Sequence, residues 1–127
     1  MKNRKIIIPV LAVILTILLY ASMNSNFKIS RKYSHIDIQN GTTGDIVTID
    51  DLEKADEFIH KINSMKFKKS SIEFPRMGYL YKITFYNEDS ADFTIIVSGD
   101  KKFKNKLWVY ESNESIVKYL KHIIQKI

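Results

Sequence analysis

The chain has 127 residues, 20 Lys and Arg against 14 Asp and Glu, a net charge of +6 and no cysteine. That length leaves room for one ordinary domain and no second one. The missing cysteine excludes disulfides, thiolate metal sites and a lipid anchor on an acylated cysteine. The charge is blocky: seven acids and one lysine over 35–59, six bases and one acid over 60–86, four acids over 87–100, seven bases and two acids over 101–127. Such blocks imply a two-toned surface, not a uniformly cationic one.

Taken in chain order, Ile6 to Tyr20 carries no charge and no polar face. Extended to Met23 it would make ~27 Å of helix, near the thickness of a hydrocarbon core. The reading is a membrane anchor or signal segment over 1–23, with Pro9 in its first turn. Lys2, Arg4 and Lys5 would hold the N-terminus in the cytoplasm and place the rest outside. A cleavage site is poor, because Leu19 or Tyr20 stands where a small residue is wanted. A retained single-pass anchor is therefore favoured, with secretion after cleavage as the alternative. Residues 24–34 read as a polar tether and 35–127 as an extracytoplasmic domain.

Within that domain, His35–Gln39 and Asp45–Ile49 alternate as strands about an Asn40–Gly44 turn. Asp50 is the expected N-cap of a helix, with Glu53 in capping-box position and Leu52, Ala55, Ile59 and Ile62 on one stripe. Met65–Lys68 alternates again, and Ser70–Gly78 reads as a loop punctuated by Pro75. Strands follow at Tyr79–Tyr86, Asp92–Ser98, Lys102–Lys104 and Leu107–Tyr110. Ser112 is the expected cap of a last helix striped by Ile116, Leu120, Ile123 and Ile127. The order ββαβββββα gives an α+β class: a transmembrane helix, then a two-layer domain with two amphipathic helices on one face of an antiparallel sheet. A strongly curled, half-barrel sheet is the variant left open.

No catalytic or metal constellation stands out. His35, His60 and His122 have no partner at ligand spacing. The acids of 45–57 lack the alternating oxygens and central glycine of a calcium loop. No nucleophile elbow is present. The reading is no enzyme and no cofactor. Aromatic residues crowd the second half, where alternation separates Leu107 and Val109 from Trp108 and Tyr110. With the aliphatic pair toward the helices, Trp108 and Tyr110 become the candidate partner-binding residues on an open face. Lys101, Lys102, Lys104 and Lys106 lie nearby. Interleaved bases and aromatics can bind single-stranded nucleic acid, but export argues against that partner and for an anionic wall or lipid surface.

The stretch Ile36–Asp45, the helix to Asn63–Phe67 and the strand Gly78–Tyr86 resemble a group of small, uncharacterised cell-envelope proteins of Gram-positive bacteria. These have one N-terminal membrane segment and one domain of unknown function. The resemblance covers most of 35–86 and implies location only. The functional expectation is a membrane-anchored, non-catalytic binding domain for an envelope protein, a peptide or an anionic surface. The alternatives are a small immunity or inhibitor-type protein and an envelope enzyme.

Overall fold

The computed structural model describes residues 2–23, 27–73 and 78–127. Residues 24–26 of the expected tether and 74–77 of the expected loop, Pro75 among them, lie outside the described residues.

α1 (Lys2–Met23) is one helix with Pro9 inside it, past the first turn. Its described side chains run from Ile6 to Leu19 and are all exposed. Among the described residues no helix is long and apolar enough to cross a membrane. That finding corrects the expected transmembrane helix and signal-anchor. The single-pass placement in a cell membrane, with the C-terminal domain outside, falls with them.

The remaining elements are β1 (His35–Asn40), β2 (Ile46–Ile49), α2 (Leu52–Ser64), β3 (Phe67–Ile72), β4 (Tyr81–Asn87), β5 (Ser90–Gly99), β6 (Lys102–Asn105), β7 (Trp108–Ser112) and α3 (Ile116–Lys126). The strands form one seven-stranded sheet in the order β2-β1-β4-β5-β6-β7-β3. Every pairing is antiparallel. The fold is therefore α+β, with β3 carried from mid-sequence to the far edge.

Period-2 alternation sorts the two faces of the sheet. Ile36, Ile38, Tyr81, Ile83, Phe85, Ile95 and Val97 are buried on one of them. Ala55, Phe58, Ile59 and Ile62 of α2, and Ile116 and Leu120 of α3, are the buried stripes that meet it. The helix starts differ from expectation by one and three residues. Asp51, not Asp50, caps α2, accepting from the N–H groups of Glu53 and Lys54. Leu52 then falls off the buried stripe and is 65 % exposed. Ser115, not Ser112, caps α3, accepting from Lys118 N–H. Ser112 instead ends β7, buried, with its Oγ accepting from Glu114 N–H.

The segment read as a tether is part of the core from Phe27 onward. Ile29 and Tyr33 are buried. Asn63, at the end of α2, clamps this strap: Ile29 N–H donates to Asn63 Oδ1 at 2.8 Å, and Asn63 Nδ2 donates to the Ile29 carbonyl at 2.9 Å. The Tyr33 hydroxyl donates to Asp92 at 2.5 Å, and Arg31 lies 3.6 Å from the same carboxylate. The strap covers what the helices leave bare. Phe27 packs on Phe67, Phe103 and Tyr110, and Tyr33 on Phe85 and Phe93. Such edge and tilted ring contacts add ~0.5–1.5 kcal/mol each beyond area burial.

Candidate binding face

Trp108 and Tyr110 do not line an open face. Tyr110 is 9 % exposed and stacks on Phe103, with centroids 5.1 Å apart. Trp108 is half-buried against the same core, with the Lys69 ammonium 4.4 Å from its ring centre. Leu107 belongs to the β6–β7 turn, and Val109 lies on the opposite face in register with Lys104 and Ser71. The facing is reversed from the sequence expectation for a packing reason. α2 contacts β1 and β2, and α3 contacts β5. At the β6-β7-β3 end the core is filled by rings, so the bulky residues of β7 turn inward there.

The face away from the helices carries a different pattern. One cross-strand row runs Gln39, Lys82, Ile96, Lys104 and Val109, each paired with the next by register. Neighbouring strands lie about 4.8 Å apart, so Lys82 and Lys104 flank Ile96 at a backbone separation of ~10 Å. Thr84 and Thr94 form the adjacent row. A shallow cleft of about 590 Å³ lies over this row, lined by Tyr79, Lys82, Thr94, Ile96, Lys104 and Lys106 among others. A second hollow of about 340 Å³ adjoins it and shares Tyr79, Ile96 and Lys104.

Local structure places each group. Lys82 alternates with the buried Tyr81 and Ile83, and Lys104 follows the buried Phe103, so both point away from the core. Lys106 takes a positive φ of 58° in the β6–β7 turn, which swings it to the rim. Tyr79 is fixed through its backbone: Gly41 packs directly under the Tyr79 carbonyl, while Leu80 bridges Gly41 N–H and the Val97 carbonyl. Lys82, Lys104 and Lys106 form no ion pair among the described residues. Asp92, an acid at the cleft margin, already accepts from Tyr33 and pairs with Arg31. The cleft thus presents three ammonium groups and a phenol around an apolar centre.

Nothing in this arrangement activates a nucleophile or poises a base. The groups with displaced pKa values are tyrosines, all raised. Burial, then the hydrogen bond to Asp92, pushes Tyr33 up to about 12. Burial, then the charge of Glu57, pushes Tyr119 up to about 12. Burial alone raises Tyr110. A raised phenol is a poorer nucleophile at neutral pH, and these rings serve packing. No group of three His, Asp or Glu among the described residues is placed to hold a metal.

A smaller apolar groove of about 280 Å³ lies between α2 and α3, lined by Lys54, Glu57, Phe58, Tyr119 and His122 among others. Lys54, Lys126 and Glu57 stand along it. Tyr119 is held there by stacking on Phe58 at 5.9 Å. The sheet cleft is wider and gathers three lysines on one face, against Asp92 at its margin and Glu73 in the adjoining hollow, so it is the better candidate. Sequence reasoning passed over Lys82 because a lone lysine in a strand carries no signal. Only the register of three strands brings it beside Lys104.

No known protein family, curated protein or solved structure matches this chain.

Proposed function

We propose that the domain is a non-catalytic binding module whose helix-free sheet face takes an anionic ligand. The reading rests on one observation: Lys82 and Lys104 bracket Ile96 in a single cross-strand row, with no acid among the described residues paired to either lysine. Two ammonium groups around an apolar centre suit a ligand with two negative groups and an apolar group between them. In an extended peptide, positions i, i+2 and i+4 share one face, and the outer two stand ~13 Å apart, within reach of two flexible lysine side chains whose backbones are ~10 Å apart. An acidic peptide segment of the pattern acid-x-apolar-x-acid is the simplest such ligand. Tyr79 and Thr94 supply hydroxyls that fix its orientation.

Each exposed lysine–carboxylate contact is worth only ~0.2–1 kcal/mol, so affinity in the micromolar range or weaker is expected, falling with salt. The test is calorimetric titration of the full chain with an extended acidic peptide of that pattern. Binding is expected for the native protein, with a ~2–30-fold loss in Lys82→Ala/Lys104→Ala, the sum of two such contacts. A double variant that folds normally and binds unchanged would remove this face as the site.

A further inference from the structure

We propose that copies of this chain associate edge to edge, the β2 edge of one copy pairing with the β3 edge of the next. β2 and β3 are the two ends of the sheet, each paired with a strand on one side only. An outer strand presents a row of N–H and C=O groups that a further strand can pair with. The usual guards are thin on β2. Ile46–Ile49 reads Ile-Val-Thr-Ile, with no proline, charge or register shift inside it. Ile46 is 57 % exposed at its start, and its short length is the main protection.

The charges around the two edges are opposite. Asp45 and Asp50 bracket β2, and Asp51, Glu53, Asp56 and Glu57 follow on α2. Lys66 and Lys68 lie exposed at the start of β3, while Lys69 turns to the Trp108 ring. Like charges set opposite one another in a strand pair are destabilising. Acidic β2 edges therefore repel each other, and basic β3 edges do the same. The lysines that guard β3 against its own kind leave one combination attractive, β2 against β3. Of the chain's charge blocks, the acids of 45–57 thus lie at one end of the sheet and the lysines opening β3 at the other. A second copy is the occupant that carries the matching edge.

Because the two surfaces differ, the contact is heterologous and propagates unless the rotation closes a ring. Association is expected to grow steadily with concentration and not to stop at a dimer. It is also expected to weaken on going from 0.1 M to 1 M salt, as the screening length falls from ~10 Å to ~3 Å. Association through the exposed apolar side chains of α1 would not weaken with salt, which separates the two causes.

The test is sedimentation velocity of the full chain and two charge-reversed variants, each checked for native near-ultraviolet circular dichroism. Lys66→Glu/Lys68→Glu makes both edges acidic; Asp45→Lys/Asp50→Lys makes both basic. Each variant alone is expected to lose association at least tenfold, and an equimolar mixture is expected to regain it. A native chain that stays monomeric at millimolar concentration would overturn the proposal. So would variants that associate like the native chain, or a mixture that remains dispersed.

Discussion

Replacing Asn63 by Ala tests whether the strap over residues 27–34 is structural. The carboxamide makes two hydrogen bonds to the Ile29 backbone, at 2.8 and 2.9 Å. Each is worth about 1 kcal/mol net, and a buried group left unpaired costs ~1–3 kcal/mol. Ile29 is 5 % exposed, so water reaches its freed groups poorly unless the strap lifts. If the strap lifts, the burial of Ile29, worth ~1.5–3 kcal/mol, is lost in place of the hydrogen-bond penalty. Either route gives ~2 kcal/mol. With a urea m-value of about 1.5 kcal/mol/M, the midpoint should fall by ~1.3 M. Asn63→Asp keeps the acceptor for Ile29 N–H but sets a carboxylate oxygen against the Ile29 carbonyl, so at neutral pH it should cost at least as much as Ala. Limited proteolysis should show new cleavage within 27–34 in the Ala variant. A midpoint shift below ~0.3 M with an unchanged digest would refute the claim that this clamp holds the strap.

Further outcomes follow from other parts of the fold. A Cβ at Gly41 would overlap the Tyr79 carbonyl, whereas one at Gly44 meets open space but at a φ of +79°. Gly41→Ala should therefore cost more than ~2 kcal/mol and Gly44→Ala only ~1 kcal/mol, measured by urea unfolding. The folded pKa of about 12 for Tyr33 and Tyr119 lies above the ordinary 10.0. Folding thus favours their neutral forms, and that stability is complete below pH 10 and lost as pH rises through 12. Tyr119→Phe should flatten the alkaline fall of the urea midpoint between those values. Phe27→Ala opens the ring cluster against Phe67, Phe103 and Tyr110. It should cost ~2–4 kcal/mol in the same assay, below the top of the range for a fully buried ring because Phe27 is only partly buried.

Local pattern made much of the domain legible. The alternation His-Ile-Asp-Ile placed Ile36 and Ile38 inward, and the spacing of Ala55, Ile59 and Ile62 placed the buried stripe of α2. Two caps were misjudged because Asp50 and Asp51, like Ser112 and Ser115, are equally good oxygens. Which one caps depends on where the preceding strand releases the chain. The strap was illegible because Phe27, Ile29 and Tyr33 are separated by Lys28, Ser30, Arg31 and Lys32. A segment that crosses a core at one side shows neither strand nor helix period. The facing of Trp108 and Tyr110 failed for a related reason: the turn took Leu107, and the parity of β7 was set by Phe103 across the ladder. The lysine row depends wholly on strand order and register, which sequence periodicity does not contain. The uncharged run at the N-terminus was weighed by its composition alone, and the described helix falls short of what that composition implied.

The most direct measurement is a map of backbone amide shifts as an extended acidic peptide is titrated into the isotope-labelled chain at low salt. The account expects the largest changes at Lys82, Thr94, Ile96 and Lys104, with α2 and α3 undisturbed. Shifts concentrated on the helical side, or none at all with the peptide in large excess, would contradict it.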